Sequence, residues 1–503
     1  MTDDHENADF DIASPKPEAL IESLRAFGYS TPAAIADLVD NSLSAGARNV
    51  WIDCHWAGSR SWFRVRDDGS GMTEAELKEA MRAGSQSPRE VRAATDLGRF
   101  GLGLKTASFS QCRRLTVASR KAKVSSIRQW DLDVVVRSSE WRLLKAVSHE
   151  TADLLEIPGD AGTAVVWQNA DRVVGDASVD DPRARDRFLR IEEDIERHLG
   201  STFHRFLSGP GSLSIYMNGN QVRPWDPFMT THPATQPMPE ETLWFQDQAI
   251  TVKPFILPHH SKLSTEEQRL GAGSAGWNAQ QGFYIYRNRR LIVAGSWLGL
   301  GLQKEEHAKL ARIRVDLPNT LDESWQLDVR KASARPPGPI RDDFRRIARA
   351  SRERAVEVYR FRGKAIARSS TAGTSFVWNS EDVRGKIHYR LNRAHPAVAA
   401  LLGSEATPVI RAAALRLVEE TVPVPLIGID HSESGLRQAG PLEGCSIAEI
   451  GALIDTVRAS LAGSGLSSRR ITQMLLSTEP FDKYPELVAA VGTESSDSDQ
   501  AGK

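Results

Sequence analysis

The chain has 503 residues, of which 40% are hydrophobic and 26% are charged, and its formal net charge at pH 7 is -1. A chain of this length is too long for one ordinary core, and its near-neutral charge excludes a global electrostatic preference for nucleic acid. Three widely separated cysteines, Cys54, Cys112 and Cys445, lack paired metal-ligand spacing, which favours a reducing cytoplasm and no structural zinc.

Both ends of the chain are polar. Residues 1–14 are acidic and have no apolar core, so they do not resemble a signal peptide, and residues 492–503 are rich in Ser and Asp. We expect both segments to be disordered tails. No apolar run approaches the length needed to cross a bilayer, so we expect a cytoplasmic protein without membrane contact.

The stretch TPAAIADLVDNSLSAGA (31–47) predicts a helix, because Thr31 can cap it and the following proline suits its first position. Asp37 and Asn41 lie four residues apart in this helix and therefore on one face. A carboxylate beside a carboxamide can activate water and help to hold a magnesium-bound phosphate. An ordinary solvated helix face has the same spacing, so the pair alone does not choose between these readings.

Two predicted strands, 49–56 and 61–66, lead directly into the sequence DDGSGM (67–72). The end of the strand places Asp67 at the rim of a sheet, where its carboxylate could accept a hydrogen bond from an exocyclic amine. The glycines would let the backbone pass close to a flat ligand. A plain turn is the alternative, since Asp-Asp-Gly is also good turn chemistry.

The three glycines of the segment GRFGLGLKT (98–106) lead into a predicted helix at 104–110. The free backbone amides of this segment, together with the helix dipole, could face a phosphate. The last glycine and Lys105 are not adjacent as a P-loop requires, and the Rossmann spacing is also absent. Residues 80–97, between the two glycine motifs, fit either a mobile lid or an ordinary surface helix and loop.

Further strands and helices follow these motifs. A strand is predicted at 126–136, and another opens within GDAGTAVVWQN (159–169), where Thr163 could hold a water or a base edge. Most threonines at strand starts are structural. The later pattern predicts a helix at 181–206 and then strands at 213–217, 250–256, 281–292 and 311–317.

Taken together and in this order, the motifs over residues 31–167 resemble the GHKL superfamily of ATPases, which includes MutL, type II topoisomerase B subunits, MORC proteins, heat-shock chaperones and histidine kinases. The resemblance implies an α+β protein whose α/β-sandwich domain binds ATP and Mg²⁺. Asn41 would be the magnesium ligand and Asp67 the carboxylate that reads adenine. The implied nucleotide contacts also include Gly69, Gly71, Met72, Gly98, Arg99, Phe100, Gly101, Leu102, Gly103, Leu104, Lys105 and Thr163.

The general base is where this sequence departs from the family. Most relatives that hydrolyse ATP have glutamate at the position of Asp37. One fewer methylene retracts the carboxylate by roughly 1 Å, a displacement that can cost on the order of 100-fold in rate. We therefore expect slow turnover.

The middle of the chain resembles the transducer (S5-like) domain of MutL and MORC proteins, and GFYIYRNRRLI (282–292) is especially MORC-like. In those relatives a transducer lysine contacts the terminal phosphate, which makes Lys331 a candidate catalytic residue and Arg330 its alternative. A solvent-facing lysine fits this position equally well. The expected domains are 15–205 (ATP-binding), 206–345 (transducer) and a helical C-terminal region, 346–491.

A long helix at 341–368 is rich in arginine and could contact DNA phosphates, although Glu353 and Glu357 also allow ordinary salt bridges within the helix. The resemblance implies a homodimeric clamp closed by ATP. It also implies a MutL- or MORC-like role on DNA, such as phage defence or restriction, with a separate nuclease or helicase. The alternative is an ATP-gated protein-interaction or chaperone-like module that does not bind DNA.

Overall fold

The computed structural model describes residues 16–26, 28–82, 103–209, 211–326, 334–368, 377–383, 386–402, 407–422, 427, 437–438, 441–442, 445–463 and 465–490. The chain divides into two compact units, Met1–Arg362 and Gly363–Lys503. Within the described ranges, no helix is both long and apolar enough to cross a membrane.

A seven-stranded sheet with the order β4-β3-β5-β2-β1-β6-β7 forms the first part of the larger unit. All neighbouring strands in it are antiparallel except β1 and β6. The strands are β1 (Asn49–His55), β2 (Trp62–Asp67), β3 (Arg114–Lys121), β4 (Val124–Asp131), β5 (Gly162–Gln168), β6 (Ser214–Met217) and β7 (Asn220–Gln221). The helices are α1 (Pro17–Arg25), α2 (Thr31–Ser44), α3 (Glu74–Met81), α4 (Gly103–Phe109), α5 (Leu132–Ser138), α6 (His149–Ala152) and α7 (Pro182–Thr202).

The main core lies between the helices and one face of this sheet. Ile35 and Val39 of α2 are fully buried in the same cluster as Ile52 of β1. Alternation along β3 places Val117 in this cluster and its neighbour Ala118 in a smaller cluster on the other face. Helix α2 is thus a core element, so its polar side chains are held at fixed positions relative to the sheet.

The predicted strand at 126–136 was too long. Strand β4 ends at Asp131, whose side chain accepts hydrogen bonds from the backbone amides of Asp133 and Val134 and so caps α5. This capping overrides the β propensity of the valines that follow, because it satisfies amide groups that a helix start leaves open.

The second part of the larger unit is a six-stranded sheet with the order β12-β11-β13-β10-β8, in which β9 also pairs with β10. Its core includes Ile285, Val315, Trp325 and Phe344. The strands are β8 (Gln236–Pro237), β9 (Glu241–Phe245), β10 (Gln248–Ile256), β11 (Gly282–Arg287), β12 (Arg290–Ser296) and β13 (Ala311–Leu317). The helices are α8 (Thr265–Ala272) and α9 (Arg341–Arg368), and α9 runs across the boundary of the two units.

The smaller unit has a helical core that includes Ile450, Ile454, Ile471 and Leu475. The expected helices are accompanied by a three-stranded sheet that the sequence analysis did not include. Its elements are β14 (Trp378–Val383), β15 (Lys386–Leu391), α10 (Pro396–Leu402), α11 (Pro408–Glu420), β16 (Arg437–Gln438), α12 (Ile447–Ala462), α13 (Ser468–Leu476) and α14 (Pro485–Ala490).

Two glycines near the end of α2 and β2 allow a direct stability test. Gly46 and Gly71 both have positive φ, +74° and +66°, but a Cβ at Gly46 would meet nothing within 4 Å, whereas one at Gly71 would lie 1.8 Å from the Arg120 carbonyl oxygen. Gly46→Ala should cost about 1–2 kcal/mol, the usual strain of a left-handed residue. Gly71→Ala should cost clearly more, because the backbone must also move, and the thermal midpoints of the two variants will measure the difference. Equal midpoints would contradict the packing of this turn against β3.

Candidate nucleotide-binding site

Three adjacent strands place polar side chains in one row. Asp67 of β2 is the register partner of Thr163 of β5, and Thr163 is the register partner of Ser119 of β3. The hydroxyl oxygens of Ser119 and Thr163 are 3.0 Å apart, and all three side chains are buried. This polar row (Asp67, Thr163, Ser119) makes direct neighbours of two residues selected from distant motifs. Ser119 was not predicted as a site residue, although a small polar residue in an otherwise apolar part of a strand could have indicated it.

The Asp67 carboxylate ties the polar row to helix α2. Its Oδ2 accepts a hydrogen bond from the Ser42 hydroxyl at 2.9 Å, and its Oδ1 accepts one from the Gly69 amide at 2.9 Å. Burial raises the pKa of Asp67, while these hydrogen bonds act in the opposite direction. A carboxylate offers about four lone-pair sites, so Asp67 retains acceptor capacity for a ligand amine.

The glycine turn lies against the polar row. The Met72 amide donates to the Ser119 hydroxyl at 2.8 Å, and Gly71 packs closely on the carbonyl of Arg120. Gly69 lies beside the end of α2, where an added Cβ would be 2.9 Å from that of Ala45. The three predicted turn residues therefore lie at the same end of the sheet as Asp67, and the absence of a Cβ at Gly69 and Gly71 lets this turn pack against the end of α2 and against β3.

Helix α2 carries the predicted acid and amide as expected, but its cap lies one residue earlier than predicted. The Ser30 side chain accepts the hydrogen bond from the Ala33 amide, while the Thr31 hydroxyl donates to Gln111 at 2.8 Å. Asp37 is buried, and Asn41, one turn later, is exposed. Asn41 directly precedes Ser42, which contacts the polar row, and an exposed side-chain amide fits a single protein ligand for Mg²⁺, with the remaining ligands supplied by phosphate oxygens and water.

The surroundings of Asp37 were not foreseen. The Tyr29 hydroxyl donates to its Oδ2 at 3.2 Å, and an Nη of Arg290, from β12 of the second sheet, lies 3.5 Å from its Oδ1. Burial, and then the charge of Asp37, raise the pKa of the Tyr29 phenol far above its usual value, so the hydroxyl keeps the proton that it donates. Sequence reasoning missed Arg290, although it lies in the MORC-like stretch.

Helix α4 contributes the described end of the glycine-rich segment. Gly103 and Leu104 begin it, and the side chain of Lys105 is buried, with Nζ donating to the carbonyl oxygen of Ala80 at 2.9 Å. Burial lowers the pKa of Lys105 to about 8. Helix α4 packs against α2, so this lysine and Asp37 belong to one neighbourhood of the fold.

Part of the predicted site lies outside the described residues. Gly98, Arg99, Phe100, Gly101 and Leu102 of the glycine-rich segment belong to that part, and so do Arg330 and Lys331. In the ranges that the structure does describe, no group of three or more His, Cys, Asp or Glu side chains could hold a metal ion by itself.

Known proteins resemble the chain over this same region. The profile of the family described as Histidine kinase-, DNA gyrase B-, and HSP90-like ATPase matches residues 29–163. DNA mismatch repair protein MutL of Azotobacter vinelandii (strain DJ / ATCC BAA-1303) is 28% identical over 276 residues, which are 52% of this chain and 37% of that protein. ATPase morc-1 of Caenorhabditis elegans is 35% identical over 88 residues, 18% of this chain and 10% of that protein. MutL of Pseudomonas putida (strain W619) is 29% identical over 194 residues, 38% and 27% of the two chains.

The chain thus spans well under half the length of these relatives, between 10% and 37%. The family match begins at Tyr29 and ends at Thr163, so it encloses α2, the glycine turn, α4 and the complete polar row. Residues 29–163 of this α+β chain therefore form an ATPase domain of the GHKL superfamily, with MutL and MORC proteins among its relatives.

Proposed function

We propose that the protein binds ATP with magnesium beside α2 and hydrolyses it slowly to ADP and phosphate. The observation that carries this proposal is the Ser42–Asp67 hydrogen bond, which joins the polar row to the helix bearing Asp37 and Asn41. The adenine would lie at the polar row, and the phosphates would extend toward Asn41 and α4. In this orientation Asp67 would accept a hydrogen bond from adenine at one end of the nucleotide. Asn41, as metal ligand, and Asp37, as candidate general base, would lie at the phosphate end.

Each side chain has a distinct task in this proposal. Asp67 accepts a hydrogen bond from the exocyclic amine of adenine, while Thr163 and Ser119 hold a water beside it. Asn41 holds Mg²⁺ on the phosphates, and Lys105, with the amides of the glycine-rich segment, meets their negative charge. Asp37 accepts a proton from the attacking water. Because Asp37 is shorter than the glutamate usual in the family, its turnover should be slow.

We propose further that ATP closes a homodimer, with the second sheet as transducer and Lys331, or Arg330, at the terminal phosphate. Two relatives are named DNA mismatch repair protein MutL, which supports a role on DNA. A cytoplasmic location, a separate nuclease or helicase partner, and a function in phage defence or restriction are further parts of this proposal.

The structure of the arginine-rich helix α9 supports DNA binding less than its composition suggests, because several of its arginines pair with glutamates. Arg346 pairs with Glu241 at 2.6 Å, Arg352 with Glu305 at 2.8 Å and Arg354 with Glu357 at 2.7 Å. Surface ion pairs are weak enough to exchange for phosphates, so they do not exclude DNA. Because these arginines already have acidic partners, the second candidate function, an ATP-gated protein-interaction or chaperone-like module, is kept beside the first.

Asp37→Asn tests the proposed general base. The variant should still bind ATP, because the amide keeps the shape of the side chain, while its turnover should fall by at least about 100-fold. Steady-state phosphate release and a separate nucleotide-binding titration measure the two effects. Asp53→Asn, which removes a carboxylate of β1 that pairs with Arg64 and is not part of the proposed site, is the matched control and should hydrolyse ATP normally. Unchanged turnover in Asp37→Asn would exclude this residue as the base.

Lys105 should make ATP binding depend on pH. With a pKa of about 8 in the free protein, the ammonium is charged below pH 8 and is progressively lost above it. A bound triphosphate favours the charged form, so affinity should be constant below pH 8 and decrease as the pH rises further. Titrations at pH 7, 8 and 9 would show this decline, and Lys105→Arg, which keeps its charge, should remove it. The same decline in both proteins would contradict the phosphate contact.

The clamp predicts a mass change that depends on nucleotide. Gel filtration with light scattering should show a dimer with a non-hydrolysable ATP analogue and a smaller species with ADP, since only the triphosphate contributes binding energy to closure. The same mass with both nucleotides would contradict the clamp proposal.

Duplex DNA binding measured at low and at high salt separates the two candidate functions, because contacts to DNA phosphates weaken steeply as the salt concentration rises.

A further inference from the structure

An arginine from the second sheet crosses to the helix that carries the proposed base. Arg290 is the first residue of β12, directly after the two-residue turn Asn288-Arg289, whose φ angles are +47° and +70°. Its side chain is buried, and its Nε lies 2.8 and 2.7 Å from the two oxygens of Asp40. The hairpin thus inserts one charged side chain into the core of the ATPase domain.

The guanidinium also faces Asp37. Its Nη2 lies 3.5 Å from Asp37 Oδ1, a longer contact than those to Asp40, and its Nη1 donates to the Leu291 carbonyl at 3.2 Å. Asp40 is therefore the anchor that fixes the guanidinium. The planar, rigid fork then presents a second edge toward the proposed base.

Charge balance makes this contact matter. Asp37 and Asp40 are buried one turn apart, and Arg290 pairs with both. Burial and the charge of Arg290 lower the pKa of the neighbouring His198 to about 4, so that imidazole is neutral at pH 7. Without the Arg290 charge, the two buried carboxylates would repel each other. The short side chain of Asp37 has little freedom to move away from Asp40.

The two oxygens of Asp37 are held from opposite directions. Tyr29, before α2, contacts Oδ2, and Arg290, in the second sheet, faces Oδ1. The phenol oxygen of Tyr29 accepts a hydrogen bond from the side chain of Thr106 in α4, next to Lys105. A continuous set of contacts therefore runs from the second sheet through the proposed base to the phosphate side of the site.

We infer that Arg290 is a positioning residue for ATP hydrolysis: through Asp40 it fixes the orientation of Asp37, so hydrolysis, but not ATP binding, depends on the docked second sheet. This inference rests on the proposed function. It explains how a carboxylate too short for the usual geometry can still be held in place. It also gives the transducer a direct mechanical connection to the chemistry.

The test compares Arg290→Gln with Arg287→Gln. Arg287 lies opposite Arg290 in the same hairpin and pairs with Asp322 at 2.9 Å, so its loss also breaks a buried ion pair, but one that does not involve α2. Arg290→Gln should lower kcat at least 10-fold while changing the ATP dissociation constant less than 3-fold, within the range expected for a displaced catalytic group. Arg287→Gln should lower the thermal midpoint yet keep kcat within 3-fold. Arg290→Lys should recover part of the lost kcat.

A double variant shows whether Arg290 acts through Asp37. If it does, Arg290→Gln combined with Asp37→Asn should turn over no more slowly than Asp37→Asn alone. Multiplied losses would overturn the inference, and so would an equal loss of kcat in Arg287→Gln. If Arg290→Gln does not fold, Asp40→Asn/Arg290→Gln removes both charges of the anchor and should show the same loss of kcat.

The outcomes also separate the two proposals. Normal turnover by the unaltered protein and by Arg290→Gln would overturn the inference and leave the ATPase proposal in place. A protein that neither binds nor hydrolyses ATP would overturn the proposed function and the inference together.

Discussion

Two carboxylates, Asp37 and Asp40, are buried one turn apart in α2, and the structure depends on how their charges are compensated. A buried charge is costly unless it is paired, and Arg290 provides the pairing from another sheet. The nucleotide-binding domain therefore does not complete its own core. The hairpin at 282–296 supplies a side chain to it, so an ion pair joins the two parts of the larger unit.

The same helix is fixed from its other side by the polar row. Ser42 donates to Asp67 on a strand, while the apolar side chains of α2 pack in the main core. A helix held on three sides keeps its acid and amide in constant positions, which acid-base chemistry requires. The glycine turn serves the same end, because Gly71 permits an approach to β3 that no residue with a Cβ could make.

Local patterns identified most of the elements. The alternation of apolar residues predicted β1 and β2 closely, because this signal depends only on neighbouring residues, and the long arginine-rich helix predicted at 341–368 has the observed bounds of α9. The same reasoning failed where a side chain changed the local rule. Asp131 ends β4 by capping a helix, and Ser30 rather than Thr31 caps α2, since caps depend on backbone geometry that composition does not reveal.

By itself the sequence determined that acid, amide and glycine motifs occur in the order typical of a GHKL ATPase, because their chemistry needs those residue types at short, regular spacings. Only the tertiary structure decided which distant residues meet them. Ser119 joins Asp67 because β5 lies between β2 and β3, and Arg290 joins Asp37 because a hairpin of another sheet packs on α2. These contacts depend on the order of the strands in the first sheet and on the packing of the hairpin against α2. Both bring together residues that are far apart in the sequence.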